Sequence, residues 1–350
     1  MKKNIIILIV PLLFIILVFG GCSEYYDVYK DCIYLVDTNG NNLTKVIDLG
    51  HTSEFEDSFV PGANDIQFTL NGEKIIYCTP DGNYGKDKLY SVDIDGDDIT
   101  ILSKNLEVWG KPSISRLRID TNIVFSAYAN NVLDIFMTTL DGAEPINLTN
   151  SYEVDEKYPN FSPDGNEIIF SKDNDTCSFI CKKNLNTGEY DILAVSDDHR
   201  FSYPVFSPDG IKIFYIKHSE LFVMNSDGSE QVKIFDDIRS TLSFSSDGSI
   251  IVFSNYSNLY VMNSEGFIIS EIEIIDSRPH NPQLSSDGMY IVYHSDYGLY
   301  GVYIIGSDGS NRRKLYQKGR MPVFSPDGNK IAFSSKYFYE RVHSSGGWFF

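Results

Sequence analysis

The residues with the most chemical potential are thinly spread. Of the six histidines, no two lie close in sequence. His199 and His280 are the candidates for a divalent metal, since neutral imidazole is a common zinc and manganese ligand. The competing reading is ordinary loop histidines. A second set is basic: Lys111, Lys157, Arg200, Arg239, Arg278 and Arg320 each stand at the start of a candidate strand. If their strands converge, these six form a positive collar for an anionic ligand or an acidic protein segment. Alternatively they pair locally with Glu156, Asp198, Asp236, Asp237 and Asp276. There is no Gly-x-Ser-x-Gly elbow, no His-Glu-x-x-His and no phosphate-binding glycine loop, so no catalytic residue is assigned and no cofactor is expected.

The elements that would position these residues repeat. Pro204 to Tyr215 reads Pro-Val-Phe-Ser-Pro-Asp-Gly-Ile-Lys-Ile-Phe-Tyr. It is two short β-branched and aromatic strands around a turn in which Pro presets φ, Asp bonds its own backbone and Gly takes positive φ. A second hairpin follows, turning at Asp227-Gly228. The first-strand anchor recurs as Phe68, Ile114, Phe161, Phe206, Phe244, Leu284 and Phe324, with spacings of 45, 38, 40 and 40 from Phe161 onward. Four antiparallel strands about every 40 residues is the period of a propeller blade. The aspartates of these turns are read as turn formers rather than metal ligands. Asp93-Ile94-Asp95-Gly96-Asp97-Asp98 has its glycine misplaced for a calcium loop and reads as a hairpin turn.

The two ends are complementary halves. Cys32 to Thr44 reads as a second hairpin lacking its first, and Pro322 to Ser334 as a first hairpin lacking its second. Joined, they complete a blade and hide two sheet edges. The predicted fold is therefore all-β: a seven-bladed β-propeller over residues 32–336, closed by pairing the N-terminal outer strands with the C-terminal hairpin. Because the aromatic tail 337–350 could add a strand, six or eight blades are the alternatives. In a propeller the loops bearing His51, His199 and His280 share a face with those bordered by His218 and His294.

The Phe-Ser-Pro-Asp-Gly turn followed by Ile-x-Phe, then the Leu-Phe-Val-Met-Asn-Ser-Asp-Gly run at Leu221 to Gly228, resembles the TolB-type (WD40-like) propeller repeat. That resemblance implies a periplasmic or lipoprotein setting and leaves activity open, because propellers host binding, scaffolding and catalysis alike. With the repeats beginning near Cys32, the α/β domain that precedes a TolB propeller is not expected here.

Lys2-Lys3, the apolar run Ile5 to Phe19 and Gly20-Gly21-Cys22 resemble a bacterial lipoprotein signal, removed as residues 1–21 to leave lipidated Cys22 ahead of a tether, 22–31. An uncleaved single-span anchor is the alternative. Either places the rest of the chain outside the cytoplasmic membrane, at the cell envelope. A formal charge of −19 argues against nucleic acid as a partner. Cys177 and Cys181, four apart on one strand, are too distant to pair. The leading function is a non-enzymatic, lipid-anchored envelope propeller that binds a protein or anionic ligand. The alternative is a metal-dependent carbohydrate-active lyase or hydrolase using histidines of the central face.

Overall fold

The turn that repeats through the sequence builds the same hydrogen-bond network wherever it occurs. In the copy at Ser207, the serine Oγ donates to Asp209 Oδ1 at 2.5 Å and accepts from the Lys212 amide at 2.9 Å. The Asp209 carboxylate accepts the Ile211 amide at 3.0 Å, and Gly210 closes the turn at φ +74°. Ser162, Ser245, Ser285 and Ser325 repeat the serine–aspartate bond. All five serines are buried. Each is a satisfied polar plug beneath an exposed turn, which explains why Ser precedes Pro-Asp-Gly or Ser-Asp-Gly.

A computed structural model describes residues 25–53, 63–80, 87–116, 122–197, 200–298 and 300–343. Its described residues form 28 strands and no helix. The first two are β1 (Tyr25–Asp37) and β2 (Thr44–Ser53). Next come β3 (Asn64–Phe68), β4 (Lys74–Pro80), β5 (Asp87–Asp93) and β6 (Thr100–Ile101). Then follow β7 (Val108–Ile114), β8 (Asn122–Ala129), β9 (Val132–Thr139) and β10 (Ile146–Asn147). The middle of the chain gives β11 (Asp155–Phe161), β12 (Glu167–Asp173), β13 (Ser178–Asn184) and β14 (Tyr190–Ser196). After these are β15 (Phe201–Phe206), β16 (Lys212–Lys217), β17 (Glu220–Asn225) and β18 (Val232–Phe235). A further group is β19 (Ser243–Phe244), β20 (Ile250–Ser254), β21 (Asn258–Asn263) and β22 (Ile268–Glu273). The last six are β23 (Ser277–Leu284), β24 (Tyr290–Gly298), β25 (Gly301–Gly306), β26 (Arg313–Tyr316), β27 (Gly319–Phe324) and β28 (Lys330–His343).

Strands β11 to β26 form four antiparallel four-stranded sheets in sequence order. The groups β3–β6 and β7–β10 form one larger sheet, joined only by the pair Asp87↔Val108. The chain ends meet in a further sheet of order β2-β1-β28-β27, with Tyr34 opposite Phe333 and Phe324 opposite Ile331. This pairing runs further than the sequence reading. Tyr25 to Lys30, expected as tether, pairs with 337–343, expected as tail. Tyr and Val at alternating positions favour a strand over a solvated linker once a partner strand is present.

Between the sheets lie apolar clusters. One joins Ile33 and Leu35 of β1 to Ile66, Ile75 and Tyr77 of the next sheet. Another joins Val36 and Phe333 to Val292, Val302 and Ile304 of the last. The turns also nest: a Cβ on Gly210 would lie 3.6 Å from Pro163, and one on Gly72 would lie 3.5 Å from Pro326.

Candidate functional site

The innermost strand of each group leaves one edge unpaired around its anchor, β7 meeting β5 only at Val108, so a proline there removes no ladder bond. Pro112, Pro159, Pro204, Pro282 and Pro322 all occupy such strands, two residues before the anchor. One residue further back, three before the anchor, stand Asp65, Lys111, Tyr158, Tyr203, Thr241, Asn281 and Met321. The ladder slips there: register shifts fall between Asn64 and Gln67, Lys157 and Asn160, Ser202 and Val205, His280 and Gln283, and Arg320 and Val323. Asp65, Tyr158, Tyr203, Asn281 and Met321 take φ between +46° and +57°. Left-handed backbone is costly for non-glycine residues and concentrates at sites whose surroundings enforce it. In the second copy the positive φ moves one place earlier, to Gly110.

Where it occurs, the bulge re-aims the side chain. All seven positions line one cavity, in overlapping lobes of about 350 Å³ and 480 Å³. An acid, an amine, two phenols, a hydroxyl, an amide and a thioether thus surround one space. The phenols form an aromatic wall, with Tyr158 and Tyr203 ring centroids 4.2 Å apart and Trp109 5.1 Å from Tyr158. Burial raises the pKa of both phenols above the ordinary value. Crowding around the cavity also pushes the Asp65 carboxyl up, opposed by the Lys111 charge. It pushes the Lys111 ammonium down, opposed by Asp65. Arg116, two residues beyond the end of β7, lines the same cavity.

The six basic residues of the expected collar occupy different surroundings. Lys111 lies on the cavity wall. Lys157 is buried and held by Asp155 at 2.9 Å and Asp173 at 3.5 Å. Arg239 is paired with Asp237 at 2.6 Å and stacked on Tyr256 at 4.5 Å. Arg278 sits between Tyr256 and Tyr297, 5.6 Å and 4.5 Å from the ring centroids. Arg200 is exposed, and its charge lowers the pKa of Asp155 and Tyr158. The charge of Arg320 is felt at His294.

Of the metal candidates, His199 lies outside the described residues, as does Cys22. His280 stands directly across β23 and β24 from His294, with ring centroids 5.5 Å apart. His294 is buried with no partner for Nδ1. Burial first, then the charges of His280 and Arg320, push its pKa down to about 3, so the ring is neutral. No group of three or more His, Cys, Asp or Glu suited to a metal occurs among the described residues. The Asp93–Asp98 stretch is a hairpin turn, as read, and Lys74 bridges Asp93 and Asp98 at 2.5 Å and 2.8 Å. Cys32, Cys78 and Cys181 are buried and Cys177 half-buried, and none of the four is in a disulfide.

Solved structures with this arrangement of sheets are numerous. One is a protein assigned as TolB from Agrobacterium tumefaciens, 16% identical, covering 88% of this chain and 99% of its own, with a TM-score of 0.55. The fold is that of a β-propeller. An oligogalacturonate lyase from Vibrio parahaemolyticus shares it at 14% identity, covering 90% of this chain and 98% of its own, with a TM-score of 0.63. An oligogalacturonate lyase in complex with manganese does so at 12% identity, 89% and 97% coverage, and a TM-score of 0.63. No protein-family model and no curated protein matches the chain. The propeller therefore rests on structure, and at these identities it carries no activity with it.

The cavity residues were accessible to sequence reasoning in one respect. Proline two places before the anchor recurs in five copies and marks the innermost strand. The position before it is occupied by chemically unrelated residues, so a search for shared residue types passes over it.

Proposed function

We propose that this chain closes into a seven-bladed propeller, is held at the cell envelope by lipid on Cys22, and acts without catalysis as a binding platform. Its loop face takes an anionic ligand or an acidic segment of a protein, and the cavity opening on that face is part of the binding surface. Seven-fold closure is supported by the composite β2-β1-β28-β27 sheet, which has apolar clusters on both sides. The Pro326–Gly72 contact, which repeats the Pro163–Gly210 contact between neighbouring turns, supports it too. The envelope location is supported by the charged, apolar and small-residue order of residues 2–22. The observation that carries the binding role is that one repeat position, three before each anchor, lines a single cavity with seven different side chains. A purely structural channel has no need of left-handed backbone at five of them.

The test uses poly-L-glutamate as an acidic probe, titrated calorimetrically into the full chain at low and high salt. Binding that weakens with salt and is lost when Arg200, Arg278 and Arg320 are all changed to Glu supports the platform. Binding unchanged by that triple reversal removes the collar from it.

A second reading, metal-dependent action on a carbohydrate, has one observation in its favour: the His280–His294 pair, whose Nδ1 on His294 lacks a partner. Two imidazoles fall short of the three protein ligands a catalytic metal site ordinarily has, so no step is derived through a metal. Metal analysis of the purified protein separates the readings: stoichiometric manganese, zinc or calcium favours the enzyme.

A further inference from the structure

Asp65 of β3 and Lys111 of β7 face the same cavity. Neither side chain has a hydrogen bond or ion pair among the described residues. Each nevertheless senses the other's charge, and that of Asp65 reaches Tyr203 on β15. Two opposite charges, crowded by protein and unsatisfied, are an expensive arrangement unless something pairs with both. A simple anion would answer only Lys111, and a simple cation only Asp65. A molecule carrying both an ammonium and a carboxylate answers both.

The cavity walls add a further requirement. Tyr158 and Tyr203 line it with ring centroids 4.2 Å apart, an aromatic surface suited to an apolar or aromatic side chain. The backbone at Gly110 leaves open space, since an added Cβ would meet nothing within 4 Å. We propose that the axial cavity binds a small zwitterion, a free α-amino acid or a dipeptide, with its carboxylate on Lys111, its ammonium on Asp65 and an aromatic side chain against Tyr158 and Tyr203. This rests on the cavity being the binding site of the platform and names the class of ligand it takes.

The experiment titrates L-phenylalanine and glycyl-L-phenylalanine into the full chain by calorimetry, with melting temperature as a second readout. Saturable binding of one or both, with a rise in melting temperature, is the expected result. The arm that binds more tightly tells the free amino acid from the dipeptide. N-acetyl and C-amide forms of the same probes each lose one charge and bind about tenfold or more weakly, the cost of a missing charged hydrogen bond. Asp65→Asn and Lys111→Met each weaken the uncapped probe to a similar extent. The capped probes need no variant, so the comparison stands if either substitution impairs folding. Equal binding of capped and uncapped forms, or no binding of either zwitterion, overturns the proposal. Poly-L-glutamate binding that persists in that case leaves the platform itself standing.

Discussion

Removing the Phe333 ring should unfasten the propeller as a whole. This side chain is 0% exposed on β28, with its ring centroid 4.9 Å from Tyr316 and 5.8 Å from Tyr34. A Cβ added at Gly319 would lie 2.8 Å from it, so little slack surrounds the ring. Phe333→Ala therefore deletes buried surface and leaves a cavity that close packing resists filling, at a cost of about 3–5 kcal/mol. Against a typical folding stability of about 5–15 kcal/mol, that is a large fraction. The control is Phe253→Ala, an equally buried ring on β20, two sheets away from the chain ends. If the composite sheet seals the ring, both variants shift one cooperative urea transition, followed by aromatic fluorescence, by comparable amounts. A Phe333→Ala chain within about 1 kcal/mol of the parent, below even a modest large-to-small core substitution, would refute the reasoning. So would a separate early transition that leaves the main one unmoved.

The repeated turns give further tests. Ser207→Ala removes a buried acceptor of the Lys212 amide and a donor to Asp209, and should lower the urea midpoint by about 1–2 kcal/mol equivalent. Asp164, Asp209, Asp287 and Asp327 are held below the ordinary carboxyl pKa first by their serine hydroxyls, and Asp247, down to about 2, first by the Ser249 amide. Because the folded state lowers these pKa values, their contribution is complete above the unfolded value near 4 and is lost as pH falls through the folded values. Melting temperature should therefore drop below pH about 4, less steeply in Asp209→Asn than in the parent; an identical slope would contradict the assignment. Cys22→Ala should release the protein from the membrane fraction and abolish palmitate labelling, and unaltered fractionation would count against the lipid anchor.

Much of this protein is written locally. Period-two strands, Ser-Pro-Asp-Gly turns and Asp-Gly hairpins obey rules that act over four to eight residues, and the anchors from Phe68 to Phe324 appear in the strands where the sequence places them. The complementary ends were legible as well, because a hairpin without a partner in an otherwise regular repeat is visible by subtraction. The cavity was not. The side chains of Asp65, Tyr158, Tyr203, Asn281 and Met321 point as they do because a one-residue slip against β4, β12, β16, β24 and β28 turns the backbone left-handed. That slip depends on how neighbouring sheets converge.

The same distinction governs the charges. The amino-acid order fixed where the basic residues stand along the repeat. Only the packed molecule decided that Lys157 is buried against Asp155 and Asp173, that Arg278 lies between two tyrosines, and that Lys111 and Asp65 line one cavity. Turn and strand chemistry is settled between neighbours in sequence. The partner of a charge is settled by which distant strands share its surroundings, and so emerges only once the sheets have come together.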